Sequence, residues 1–558
     1  MNKRETADAA GRANTLPAKS TAEVVVESII ASGIDTLYCL PGVQNDPLFD
    51  VLWHNQNKLR VIHSRHEQGA AYMAMGAALA TGKPQACCLV PGVGFLNAAA
   101  ALATAYSTNS PVLMLLAHIP LNQIGRGYGA LHEVVDQTPI LRTMTKSAVR
   151  IDAPADAPHL MQAALTDLAS GRPRPVGVEV PTDVWANKAP VPPLGAIEPR
   201  HPPIDWALIE QAADMLSKAE RPLILVAGGA QGGSREIREL AERLQAPVSA
   251  SRNGHGVMDA RGPLSIPAPI AHKLWANADV VLAIGTRMPA PLRVWGTDAK
   301  LKIIRIDADY EEMNRITRPT LGIVGDAKAN VAALLEVLPK ESKTRALANE
   351  LPGMKEKFAA EIARELPDQT GWIKALRTAL PDDGVLVEEM TQVGYASRFS
   401  FPVYNPRSYL TSGFQGTLGW GVATTVGVKA ALGNKPVIGI NGDGGFMYTM
   451  PELATAVHFK IPAVFVVFND NAFGNVQRTQ KQQFNGHVIA TDFTNPDFVR
   501  MGDSFGALSM RAKTPDELVK AIEKGLATTD RPTLIDVPVG AMKNPFQFMA
   551  LGRVRGSA

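Results

Sequence analysis

Only three cysteines, Cys39 and the adjacent Cys87-Cys88, occur in 558 residues, too few and too closely set for a disulfide framework or a spaced zinc site. A reduced, cytoplasmic compartment is the expectation that follows. Long apolar runs are missing too, since none reaches the ~18 residues of a membrane span. The first 19 residues carry charges and no apolar segment, which argues against a secretory signal and reads as a disordered tail. Charge of one sign is also scarce. The 56 Lys and Arg nearly balance 53 Asp and Glu, without a basic block, so nothing calls for nucleic acid. What is present, 46% hydrophobic and 20% charged residues, is the make-up of an ordinary globular protein. The length predicts about three or four domains.

Residues 20–185 alternate helical and strand patterns: helices over 22–32 and 67–81, strands over 36–39, 61–63, 86–90 and 112–117. That rhythm predicts a parallel sheet covered on both faces. Residues 186–203 hold A-P-V-P-P-L-G and H-P-P and read as an extended linker. A second α/β pattern spans 204–340, with strands over 222–227, 247–249, 280–284 and 303–306 and a helix over 234–244. Its glycine run Gly228-Gly229-Ala230-Gln231-Gly232-Gly233 misses the full dinucleotide spacing. A charged connector over 341–367 leads to a third α/β domain over 368–545. The fold class expected is three doubly wound parallel-sheet domains.

The third domain contains the stretch on which the functional reading turns. An apolar strand over 436–440 empties into Gly442-Asp443-Gly444, a helix is expected over 450–459, and a second strand over 463–468 runs into Asn469-Asp470-Asn471. Parallel strands deliver both sets of oxygens to one sheet edge, where open α/β sheets bind ligands. Such oxygens, a main-chain carbonyl and a diphosphate make an octahedron for Mg²⁺. Alone, Gly442-Asp443-Gly444 also fits an ordinary strand and turn with a capping aspartate.

Gly-Asp-Gly followed after 24 residues by Asn469-Asp470 resembles the signature of thiamine diphosphate enzymes, with aspartate in place of the second asparagine. The resemblance implies that Asp443, Asp470 and the carbonyl of Ala472 hold the metal, and that Gly442, Gly444, Gly445, Phe473 and Gly474 surround the diphosphate. Glu388-Glu389-Met390-Thr391-Gln392 follows a strand over 385–387, and Thr391 and Gln392 are the contacts to phosphate implied there. Gly416-Thr417-Leu418-Gly419 is similar to the family's G-T-M-G. It implies Leu418 as the wedge that bends the cofactor and the Gly416 carbonyl as acceptor for its amino group.

In the first domain, Arg65-His66-Glu67-Gln68-Gly69-Ala70-Ala71 is similar to the segment around the family's indispensable glutamate. Glu67 is implied to hydrogen-bond the aminopyrimidine from apolar surroundings, although an acid opening a helix is also favoured by the dipole alone. Pro91-Gly92-Val93-Gly94-Phe95-Leu96-Asn97 is similar to the G-P-G-x-x-N turn, bringing Asn97, with Gly42 of Pro41-Gly42, to the cofactor. His132 in Ala130-Leu131-His132-Glu133 and His118 stand where acetolactate synthases carry glutamines. Either histidine facing the cofactor could shuttle protons, while a structural histidine is the commoner case. Val90 and Val43 take the places of polar groups in benzoylformate decarboxylase, against that enzyme's detailed chemistry.

By resemblance, then, the chain is an acetolactate synthase-like enzyme that decarboxylates a 2-oxo acid and transfers the acyl carbanion, with thiamine diphosphate and Mg²⁺ as cofactors. A simple 2-oxo acid decarboxylase or other thiamine-dependent lyase is the alternative, and a non-catalytic relic is disfavoured by Glu67 and Asp443. FAD is an open but disfavoured cofactor, because Pro263-Leu264-Ser265-Ile266-Pro267-Ala268-Pro269 replaces the glycine-rich segment of flavin-binding members. The resemblance further implies a homodimer as catalytic unit, doubled to a homotetramer. Substrate choice rests on loops such as 43–46, 118–128 and 475–486, where no spacing rule applies.

Overall fold

The computed structural model describes residues 16–340 and 345–556. Three six-stranded sheets organise them, and every strand pairing within those sheets is parallel. The strands read as unbroken apolar runs, as in Val112–His118, buried at every position. A sheet must be covered on both faces by helices for that pattern to be stable.

The first and third sheets have the same topology. In the first, the strands lie side by side as Arg60–His63, Thr36–Cys39, Gln85–Leu89, Val112–His118, Val176–Pro181 and Ser147–Arg150. In the third they lie as Tyr409–Thr411, Val385–Glu388, Val437–Gly442, Val464–Asn469, Thr533–Pro538 and Leu508–Arg511. Both orders are 2-1-3-4-6-5 in chain sequence, so each has a switch point between its first and third strands. Chains leave those strands in opposite directions there, opening a crevice at their carboxyl ends. The middle sheet is ordered 3-2-1-4-5-6: Ser265–Ile266, Val248–Ala250, Leu223–Val226, Val280–Ile284, Lys302–Asp307 and Leu321–Val324.

Several expected boundaries shift. Residues 1–15 of the expected tail lie outside the described residues, but Ala18–Ser20 pairs antiparallel with Lys188–Pro190, placing Ala18 and Lys19 in a strand and structuring part of the linker. Residues 341–344 of the connector also lie outside the described residues, and Ala346–Glu365 is a helix. The helix expected over 450–459 runs over Glu452–His458, and a further helix, Asp443–Thr449, precedes it. Pro451 stands between the two, lacking an N–H to donate back, while Met450 and Pro451 both keep right-handed helical backbone. The proline-rich 263–269 segment supplies the two-residue strand Ser265–Ile266 and opens the helix Ala268–Trp275.

The first and third domains share a core. Helix Glu67–Thr81 packs against helix Trp420–Leu432, and glycines allow the approach: a β-carbon on Gly427 would sit 2.1 Å from the Met73 carbonyl oxygen, and one on Gly76 would sit 2.6 Å from that of Thr424. Neither helix backbone can yield without repacking. Gly427→Val is therefore expected to cost roughly 1–3 kcal/mol and lower the apparent Tm by a few degrees, measured by calorimetry on the full chain.

Candidate active site

Both crevices are lined by the residues singled out in the sequence. At the first switch point, Pro41-Gly42 leaves one strand and the glycine turn leaves the other. Val90 fills the space between them, because β-carbons on Gly42 and Gly94 would meet its methyl groups at 2.3 and 2.4 Å. The same point on Gly94 lies 3.4 Å from Glu67 Oε1. Glu67 opens its helix, half-buried, and its Oε2 accepts from Asn97 Nδ2 at 3.0 Å. Gly42, Glu67 and Asn97 thus form one cluster.

His132 is brought to that cluster and His118 is not. The carbonyl of His132 would lie 1.9 Å from a β-carbon on Gly92, so the loop presses on the glycine turn, and His132 itself takes a left-handed φ of 67°. Its Nδ1 is buried without a partner. His118 ends its strand, buried, and Nδ1 accepts from the Ile119 amide at 2.8 Å. Burial, reinforced by Arg150, holds its ring below the usual imidazole range. Its other charged neighbours are Asp136 and Asp152, not Glu67.

The second switch point opens into a cavity of about 420 Å³. Thr391 and Gln392 enter it from one strand, Gly442 to Gly445 from the next, and Asp470, Ala472, Phe473 and Gly474 from the third. Gly416 and Leu418 line it from the turn before helix Trp420–Leu432, where Gly416 has a φ of 58° and Gly419 one of 80°. Glu67 does not line this cavity within the single chain. Thr391 also caps its helix, accepting from Gly394 N at 2.7 Å, and Gln392 Oε1 accepts from Arg478 at 2.9 Å.

Asp443 is held by donors on both oxygens. Oδ1 accepts from Gly444 N at 2.9 Å, and Oδ2 accepts from Asn471 N and Asn495 Nδ2, each at 2.7 Å. Burial pushes its carboxyl up against those bonds. Asp470 is pushed up to about 6, first by burial and then by the nearby charge of Asp443. A buried Asp443 close enough to raise a half-buried Asp470 favours a metal ion between them.

Family models match three stretches of the chain. Residues 19–140 match "Thiamine pyrophosphate enzyme, N-terminal TPP binding domain", residues 209–334 match its central domain, and residues 390–537 match its C-terminal TPP binding domain. The chain belongs to the thiamine pyrophosphate enzyme family. It is similar to a "probable 2-ketoarginine decarboxylase" of Pseudomonas aeruginosa, 33% identical over 90% of this chain and 91% of the relative. A "probable acetolactate synthase large subunit" of Methanocaldococcus jannaschii is 30% identical over 93% and 91%. Acetolactate synthase isozyme 3 large subunit of Escherichia coli is 29% identical over 96% and 97%. This thiamine pyrophosphate enzyme makes or breaks carbon–carbon bonds, and no helix among its described residues is long and apolar enough to cross a membrane.

The cavity of this enzyme fits a diphosphate with a metal. Glycines keep its floor open: a β-carbon on Gly444 would sit 2.6 Å from Phe473, and one on Gly474 would sit 2.5 Å from Asp470 Oδ2. Among the described residues no three His, Cys, Asp or Glu side chains gather as a metal site, so a cation here needs other oxygens, such as those of a diphosphate. Three contributors escaped the sequence reading: Asn495, which also donates to Asn469 Oδ1 at 2.9 Å; Gln137, which accepts from Gly92 N at 2.7 Å; and Glu389. Each meets partners far away in the chain, leaving no local spacing to find it by.

Proposed function

We propose that this enzyme decarboxylates a 2-oxo acid and transfers the acyl unit to a second carbonyl compound, using Mg²⁺ with its thiamine diphosphate. The observation that carries this reading is the pairing of Asp443 with Asp470 in the cavity that also holds Gly416 and Leu418. The acetolactate synthase relatives supply the reaction type. Bound thiamine diphosphate supplies the electron sink for the chemistry. Asp443, Asp470 and the carbonyl of Ala472 would hold the metal, and Thr391 and Gln392 would meet phosphate oxygens. Glu67, steadied by Asn97, would hold a proton on the aminopyrimidine. In this reading His132, whose backbone rests on the glycine turn, is assigned the proton exchange, and His118, at the end of its strand, is assigned a structural role.

Leu418 would keep the cofactor bent, with the Gly416 carbonyl accepting from its amino group. Leu418→Ala is expected to lower kcat by up to about 10²-fold, since small displacements of reacting groups have that effect. Steady-state kinetics at saturating cofactor would show it.

Glu67 lies outside the cavity of its own chain, which supports a site completed by a second copy. Apolar side chains beside both clusters support it further: Val93 and Leu96 next to Asn97, and Tyr448 and Val476 lining the cavity, are all exposed, as surfaces that pair with another chain are. The catalytic unit in this reading is a homodimer, doubled to a tetramer. The middle domain is assigned a structural role without FAD. Asp307, at the end of its strand Lys302–Asp307, is engaged by Arg172 of the first domain at 3.1 Å, and a β-carbon on Gly229 would sit 2.8 Å from Gly285, closing the glycine crevice.

The 33% identical decarboxylase relative favours a second reading, decarboxylation alone. Incubation with a panel of 2-oxo acids, with and without acceptor aldehydes, distinguishes the two. A ligation product supports acyl transfer. Aldehyde alone supports the second reading, and no consumption of any 2-oxo acid overturns both.

A further inference from the structure

Glu389 follows the strand Val385–Glu388, wholly buried, and the function proposed above makes no use of it. Its Oε1 accepts from the amide of Gly419, the residue that closes the turn carrying Gly416 and Leu418. Its Oε2 has no hydrogen-bond partner, and neither has Oδ1 of Asn441, two residues before Asp443. Those two oxygens border the same small space, since a β-carbon on Gly421 would sit 2.6 Å from the first and 2.3 Å from the second. The Asn441 amide is already oriented, because its Nδ2 donates to the Gly439 carbonyl at 3.2 Å. Turning the amide over would set two carbonyl oxygens against each other.

An ionised Glu389 would therefore face Asn441 as acceptor against acceptor, each unsatisfied where water does not reach, and such groups are costly to leave unpaired. One proton removes the conflict. We propose that Glu389 is held as the neutral acid, its Oε2–H donating to Asn441 Oδ1, and that this bond locks the 416–419 turn to the strand that delivers Asp443.

The surroundings agree. The titratable groups near Glu389 are Glu388 and Tyr72, and Glu388 is committed to Arg398 at 3.0 Å. Burial, with Glu388 adding to it, pushes the Glu389 carboxyl up to about 8. Room for the acid is left by glycines: a β-carbon on Gly445 would sit 2.5 Å from Oε1. The carboxyl reaches the cavity only through Gly419, Gly445 and Asn441, which makes Glu389 a positioning residue. Its effect on turnover rests on the function proposed above, while its protonation does not.

The test uses the full-length chain and two variants. Infrared spectra of the cofactor-free protein at neutral pH, wild type minus Glu389→Gln, should contain the carbonyl stretch of a protonated carboxylic acid. Glutamine keeps an acceptor for Gly419 and offers Asn441 a donor, so Glu389→Gln should stay within about threefold of wild-type kcat. Glu389→Ala should lose about 10²-fold in kcat with little change in KM, the pattern of misplaced reacting groups. Absence of the acid band, or a loss in Glu389→Gln as deep as in Glu389→Ala, overturns the proposal. Should Glu389→Ala not fold, the band and the glutamine variant still decide. A band present in a protein that consumes no 2-oxo acid upholds the neutral acid and refutes only the proposed function.

Discussion

Replacing Glu67 by glutamine should leave the protein folded and lower kcat about 10³-fold, the middle of the range for a lost proton-handling group. The substitution keeps the shape of the side chain, and an amide oxygen can still accept from Asn97 Nδ2, the bond seen at 3.0 Å. What goes is the acidic oxygen and its negative charge at the first position of helix Glu67–Thr81. The helix end loses a favourable charge, worth about 0.3–1 kcal/mol, small beside the shared core of the first and third domains. Circular dichroism melts should therefore nearly coincide with wild type while turnover collapses. Near-normal turnover in a well-folded Glu67→Gln would remove this residue from the chemistry and with it the role proposed for the first crevice.

What the sequence disclosed and what it hid follow from the range of the interactions involved. Helices Glu67–Thr81 and Ser234–Leu244 and strands Thr36–Cys39 and Val280–Ile284 have the ends expected from residue patterns. Local chemistry fixes them, as where Gly82 caps a helix with a φ of 69°. Strand Ser265–Ile266 was hidden because two residues flanked by prolines carry no period. Helix Glu452–His458 lies within the helix expected over 450–459, whereas Asp443–Thr449 was hidden, because two glycines in its first turn leave no apolar period. At the site, Asp443 and Asp470 stand out because a crossover brings neighbouring strand ends together at a regular distance. Asn495 lies 52 residues beyond the carboxylate it holds, and Glu389 meets Gly419 across 30, so only the folded sheet shows either pairing. The shared topology of the first and third sheets was equally hidden, because an α/β rhythm gives the sequence of strands and not their order in space.

The sharpest test of the second crevice separates binding from catalysis. Wild type with thiamine diphosphate at about 100 times the Kd it has at a fixed Mg²⁺ concentration should gain roughly 2.7 kcal/mol of stability over the Mg²⁺-only protein, and Asp443→Ala should gain almost nothing. The variant will also differ without ligands, for two opposing reasons. It takes the acceptor from Gly444 N and Asn471 N, now satisfied at 2.9 and 2.7 Å, at about 1–3 kcal/mol, and it relieves the repulsion that helps push Asp470 up to about 6. Comparing each protein with and without ligands cancels both. Glu67→Gln should keep most of the wild-type ligand-induced rise in Tm, since it leaves the lining of the 420 Å³ cavity untouched and an amide can still hydrogen-bond the cofactor. Loss of turnover without loss of cofactor stabilisation in one variant, and loss of both in the other, is the pattern that two separate clusters at opposite ends of one cofactor require. A full ligand-induced shift in Asp443→Ala would refute the metal site assigned to Asp443, Asp470 and Ala472.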